Sequence, residues 1–251
     1  MCSPPLPPPA RRSPPGPAAA VAVVCASLFV VLLGLVAADW APLAAVDRAV
    51  AEALHRHAVA EPAVVRVNRV LTDWIWDPWT MRALTAVVVV ALWRRGARAA
   101  ACWTAVTAAC AALLQQALKA VVGRERPQWP DPVDSAQYAA FPSGHAMTAV
   151  VTCGLLLWLL RLCGASPALW ATALAVVAVS VPGVAFTRVY LGVHWLSDVV
   201  GGALAGTAVV ACCAAGYGAR SGRKDPAAPG QEGLAAPARE DPAASDRPHR
   251  M

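Results

Sequence analysis

Three short polar clusters in an otherwise apolar chain hold the residue types that chemistry on an anion requires. The first is Lys119 with Arg126 and Pro127, the second Pro142, Ser143, Gly144 and His145, and the third Arg188, His194 and Asp198. Cations and imidazoles at the ends of membrane helices are costly unless they meet something anionic, so a phosphate group is the default ligand.

Each cluster has its own logic and its own plainer alternative. Lys119 near a helix end and Arg126 in the following loop could clamp phosphate oxygens, the arginine as a planar fork and the lysine as a point charge. Alone, the same pair could simply snorkel to a headgroup layer. In the second cluster Ser143 can cap a helix and Gly144 allows close backbone approach, so free N–H groups face an anion. His145 then lies in the first turn, placed to give a proton to a leaving oxygen; a plain cap followed by an interfacial histidine would look the same. In the third, His194 and Asp198 are four apart and share a face if a helix has begun. The carboxylate would take the imidazole N–H and leave the other nitrogen as a nucleophile. A buried structural hydrogen bond is the alternative.

The chain that must position these clusters is a membrane protein. Of its 251 residues 58% are hydrophobic and 14% charged, too apolar for an ordinary soluble globule. The net charge of +6 is spread over loops and tail, which favours lipid headgroups and membrane orientation over nucleic acid. Cys25, Cys102, Cys110, Cys153, Cys212 and Cys213 sit in apolar runs, Cys163 follows one, and there is no Cys/His metal spacing. They read as small apolar fillers.

An all-α polytopic fold with six transmembrane helices and one interfacial amphipathic helix follows. Residues 1–17 are a proline-dominated arm expected to be disordered, 18–217 the membrane domain, and 218–251 a disordered tail. The run 18–38 is long enough to cross a bilayer and is expected to be retained; Arg11, Arg12 and the small residues at 36–38 would also suit a cleaved signal. Leu43, Val46, Val50 and Leu54 recur at helical spacing, with Asp47, Arg48, Glu52, His55 and Arg56 on the other faces, which predicts the interfacial helix. His55 and His57 read as exposed side chains on its polar face, since no third metal ligand is suitably spaced. Trp74, Trp76 and Trp79 suggest an aromatic belt. The remaining spans are expected near 79–93, 99–122, 142–161, 169–186 and 194–217, with Pro182 able to kink the fifth. Gly202 and Gly206 form a small-xxx-small pair suited to packing inside the bundle, or to a homodimer contact.

Charge gives the topology. Arg11, Arg12, Arg94, Arg95, Arg98, Arg161, Arg220, Arg223 and Lys224 fall on one side of six spans, which the positive-inside rule makes cytoplasmic. Both termini are then cytoplasmic and all three polar clusters face outward.

In order and internal spacing, Lys119 with Arg126 and Pro127, then Pro142 to His145, then Arg188, His194 and Asp198 resemble the signature motifs of the type 2 phosphatidic acid phosphatase (PAP2) superfamily. One departure is visible: Thr187 stands before Arg188, where the family usually has serine, and a hydroxyl is kept. The resemblance implies a membrane-bound lipid phosphatase in which His194 attacks phosphorus to form a phosphohistidine, oriented by Asp198. His145 would protonate the leaving oxygen and later activate water. Lys119, Arg126, Ser143, Gly144 and Arg188 would hold the phosphoryl oxygens, with no cofactor and no metal. A polyprenyl diphosphate, phosphatidic acid or phosphatidylglycerol phosphate would suit it as substrate. Soluble haloperoxidases share similar motifs, but the six apolar spans argue against them. A non-catalytic headgroup-binding or lipid-transport protein is the other class the same residues would serve.

Overall fold

The computed structural model describes residues 16–222. Residues 1–15 of the expected arm and 223–251 of the expected tail lie outside the described residues, whereas Pro17 opens the first helix and the last one continues to Gly222. Among the described residues there are eight α-helices and no strand: α1 (Pro17–Ala37), α2 (Ala41–Ala60), α3 (Pro62–Val70), α4 (Pro78–Arg94), α5 (Arg98–Val122), α6 (Gly144–Leu162), α7 (Pro167–Tyr190) and α8 (Leu196–Gly222). Six stretches are long and apolar enough to cross a membrane: α1, α3 with α4, α5, α6, α7 and most of α8. The chain is therefore a multi-pass membrane protein, as its composition demands.

Local chemistry sets the boundaries. Proline occupies the first turn of α1, α2, α3, α4 and α7, where its missing N–H costs nothing. Asp77 caps α4 by accepting from Trp79 N at 2.7 Å and Thr80 N at 3.0 Å. Gly123 ends α5 in the left-handed conformation at φ 59°, which turns the chain into the 123–143 loop. Pro182 does not interrupt α7, which is helical from Pro167 to Tyr190.

The middle of the bundle is the crossing of α6 and α8. α6 buries most of its apolar window, whereas α1 and α7 turn most of theirs outward, as helices facing lipid must. The crossing is close because Gly202 faces Ser143 O, Gly206 faces Met147 O and Gly154 faces Val210. The glycine pair thus serves packing inside the bundle. Phe141, fully buried, stacks on Phe29 of α1 with ring centroids 6.0 Å apart, so α1 holds the entrance to α6 from behind.

Three expectations need correction. The buried stripe of α2 is Asp47, Ala51, His55 and Ala58, while Val46 is exposed. The helix turns its charged Asp47 inward because Arg124 and Ser197 wait there to compensate its desolvation. His55 is accordingly not an exposed polar side chain: it is buried and stacked on Trp129 at 4.0 Å. His57 is exposed and pairs with the Tyr190 hydroxyl at 3.0 Å. Trp76 is not part of a belt, because it packs against Gly183 of α7, whereas Trp74 and Trp79 are exposed.

Candidate active site

All three clusters meet at one end of the bundle. The end of α5, the 123–143 loop, the start of α6, the end of α7 and the 191–195 turn surround a cavity of about 540 Å³. Its walls include Arg82, Lys119, Arg126, Arg188, His145 and His194, and among the described residues no carboxylate lines it. Four cations thus enclose one small space. Such an assembly is stable only if each cation has acceptors or a ligand anion.

The protein supplies some of those acceptors through its loop. Lys119 Nζ donates to Ala139 O at 2.5 Å. Arg126 is the most engaged: Nε donates to Tyr138 O at 2.8 Å, Nη2 to Gln137 O at 3.1 Å and Nη1 to Val193 O. Arg188 is buried and donates through Nη1 to Thr72 Oγ1 at 3.2 Å, while its Nε has no partner among the described residues. Ser143, also fully buried, stands at the cap position of α6, yet its Oγ neither caps the helix nor finds another partner among those residues. The expected side-chain cap is absent because the backbone anchors the corner instead, with Ser143 N donating to Asp198 O at 2.9 Å. Gly144 starts α6, and the Gln115 amide packs so closely on it that a Cβ would fall 2.7 Å from Nε2.

His194 lies between two opposed fields. On one side Asp198 Oδ2 is 3.3 Å from Nδ1; on the other Arg126 Nη1 is 3.2 Å from Nε2. An arginine N–H can only donate, so Nε2 must be the acceptor and the ring proton must be on Nδ1, facing the carboxylate. Burial pushes the imidazole well below its usual pKa, and Arg126, Arg188 and Lys119 push in the same direction. His194 is thereby neutral, with its Nε2 lone pair turned to the side where the cations converge. His145, in the first turn of α6, lines the same cavity.

Asp198 is held by residues outside the three clusters. Its Oδ2 accepts from Trp195 N at 2.8 Å and its Oδ1 from Arg124 Nη1 at 2.6 Å. Arg124 also reaches Ser197 Oγ at 2.6 Å and Asp47 Oδ2 at 2.8 Å, and Asp47 Oδ1 accepts from Ser197 N at 2.8 Å. Sequence reasoning assigned none of Asp47, Arg124 or Ser197 to the site. Arg124 is two residues before Arg126, and Asp47 shares its stripe with Ala51 and His55, but only the fold joins them across 77 residues. Arg82 is the other residue missed; it sits in α4, 3.5 Å from Gln115 Oε1 and over the Trp79 ring.

Fold and site together define a helical membrane protein with a cationic, histidine-bearing cavity at one end. A family model described as the PAP2 superfamily matches residues 100–221, the stretch that carries all three clusters. Among solved structures, the chain resembles the crystal structure of a transmembrane PAP2-type phosphatidylglycerolphosphate phosphatase from Bacillus subtilis. The TM-score is 0.68 at 21% identity, with 79% of this chain and 96% of that one covered. None of the curated proteins compared with it matches its sequence.

Proposed function

We propose that this chain is a lipid phosphatase that works through a phosphohistidine on His194. The observation that carries the reading is the polarised imidazole, with Nδ1–H turned to Asp198 and the Nε2 lone pair beside Arg126. A headgroup-binding protein needs the cations but has no use for a nucleophile so arranged.

In the first step Nε2 forms a bond to phosphorus as the bond from phosphorus to the lipid oxygen breaks, in line. His145 gives its proton to that oxygen; the negative charge of the bound phosphate favours the protonated form of His145 beforehand. Water then attacks the phosphohistidine and gives its proton to His145. The N–P bond breaks and inorganic phosphate leaves. Lys119, Arg126 and Arg188 neutralise the phosphoryl oxygens in both steps, with Ser143 and the Gly144 backbone completing the cradle. The two buried polar atoms Ser143 Oγ and Arg188 Nε suit this role, because each is costly until a ligand oxygen meets it.

We read the activity as metal-independent, since the cavity wall offers cations where a divalent ion would need carboxylates. The substrate is a lipid phosphate or diphosphate: a polyprenyl diphosphate, phosphatidic acid or phosphatidylglycerol phosphate, the last being the lipid for which the Bacillus subtilis phosphatase is named. Pro78, Trp79 and Arg82 of α4 and Gln115 and Gln116 of α5 form one wall, so the tail would leave into lipid between these helices. The arginines of the α4–α5 and α6–α7 turns lie at the opposite end of the bundle, which supports an active site on the extracytoplasmic side and cytoplasmic termini.

The test is phosphate release by purified protein in detergent with EDTA, from a panel of lipid mono- and diphosphates. Wild type should turn over at least one of them and His194→Ala none. Lipid binding without release by folded wild type would replace catalysis with headgroup binding or transport. Activity lost in EDTA and restored by magnesium would refute metal independence.

A further inference from the structure

We infer that Asp47 and Arg124 are positioning residues for the nucleophile, forming with Asp198 a buried relay that carries a single net negative charge on the Nδ1 side of His194. The inference rests on the reading of His194 as a nucleophile given above.

The geometry is a fork between two carboxylates. Arg124 Nη1 bonds Asp198 Oδ1 at 2.6 Å and Nη2 bonds Asp47 Oδ2 at 2.8 Å. Asp47 and Asp198 are 1% and 0% exposed, and Arg124 is partly buried between them. Two carboxylates and one guanidinium leave one negative charge. If Arg124 faced Asp198 alone the pair would be neutral overall, and the imidazole would keep only the short-range attraction of the nearer carboxylate oxygen. Asp47 occupies the second arm of the fork and so restores the charge. That charge matters when Nε2 bonds to phosphorus, because the ring becomes an imidazolium whose Nδ1–H points at Asp198 Oδ2. The opposite side of the ring faces cations, so the relay is what makes the charged ring tolerable in a buried place.

Asp47 also fixes where Asp198 stands. Its Oδ1 accepts from Ser197 N, a donor that the start of α8 leaves without a helical partner, and its Oδ2 from Ser197 Oγ. α2 thereby ties down the first turn of α8, one residue from Asp198. A lysine in place of Arg124 would concentrate its donors on one nitrogen and lose the planar fork that sets one guanidinium nitrogen on each carboxylate.

The experiment compares wild type, Asp47→Asn and Arg124→Lys in kcat, KM and the rate of phosphoenzyme formation, with the thermal midpoint of each. Asp47→Asn keeps an oxygen for Ser197 N, and so the tie between α2 and α8, while it removes the charge and the acceptor of Arg124 Nη2. The expected result is a fall in kcat and in phosphoenzyme formation of about tenfold to a hundredfold, with KM within about threefold of wild type. Should Asp47→Asn fail to fold, Arg124→Lys, which keeps the net charge of the relay and removes its planar fork, tests the positioning of Asp198 by the same split. A folded variant with kcat within about twofold of wild type, or with a raised KM and unchanged kcat, overturns the inference. Wild type that releases no phosphate from any lipid overturns the reading on which both stand; active wild type with unaffected variants overturns this inference alone.

Discussion

Gly202→Ala tests how tightly the two halves of the site are joined. Gly202 is in α8 and faces the start of α6, where an added Cβ would fall 2.6 Å from Ser143 O, 3.1 Å from Met147 N and 3.3 Å from the Ala146 side chain. Two of these neighbours are backbone of the first turn of α6, so no rotamer change relieves the contact. Restoring an ordinary separation of 3.4 Å requires the helices to part by about 0.8 Å. That movement acts directly on the hydrogen bond from Ser143 N to the Asp198 backbone O, 2.9 Å long, which links the α6 corner carrying His145 to the main chain of the residue whose carboxylate faces His194 Nδ1. Overpacking of this kind costs about 1–3 kcal/mol of stability. Displacing reacting groups by about 1 Å costs about a hundredfold in rate. The expected outcome is a kcat for lipid phosphate hydrolysis lower by one to two orders of magnitude, with a modest fall in thermal midpoint. Gly206→Ala is the control one turn further on, where the nearest approach is 3.1 Å, and it should lose far less activity. A Gly202→Ala protein with wild-type kcat, or one no worse than Gly206→Ala, would refute the claim that this crossing sets the site geometry.

Two other perturbations follow from the electrostatics of the cavity. Because burial and nearby cations lower the pKa of His194, its protonation should limit kcat/KM only below pH 6.5; Arg126→Gln removes one of those cations, so the acid limb should move to higher pH even as overall activity drops. A limb that stays in place or moves to lower pH would contradict the assignment. Arg82 adds a fourth cation to the cavity on the α4 side, so Arg82→Gln should raise KM several-fold more for a lipid diphosphate than for the monophosphate with the same tail. Equal effects on both lipids, measured side by side, would show that Arg82 does not read headgroup charge.

The legible part of this protein was the part encoded locally. His194 and Asp198 are one helical turn apart, Ser143, Gly144 and His145 are consecutive, and Lys119 and Arg126 flank a helix end, so their proximity in space follows from short spacing. The spans were legible because lipid demands long apolar runs. What escaped was relational. Asp47 looked like one of several charges on the wet face of an amphipathic helix, and only Arg124 and Ser197, distant in sequence, make the opposite face hospitable to it. Trp76 looked interfacial because its neighbours Trp74 and Trp79 are, yet Gly183 on another helix leaves it a slot. Ser143 looked like an ordinary cap, but the backbone bond to Asp198 O anchors the corner and its hydroxyl has no partner among the described residues.

The most direct test of the central claim is to trap the covalent intermediate. Wild type mixed with a lipid phosphate carrying a labelled phosphoryl group, in EDTA, and quenched in alkali within a turnover should hold label on one residue, His194, as an alkali-stable phosphohistidine. His194→Ala should hold none and release no phosphate. Wild type that releases phosphate rapidly yet never carries label, or a His194→Ala protein that still turns over, would contradict the account.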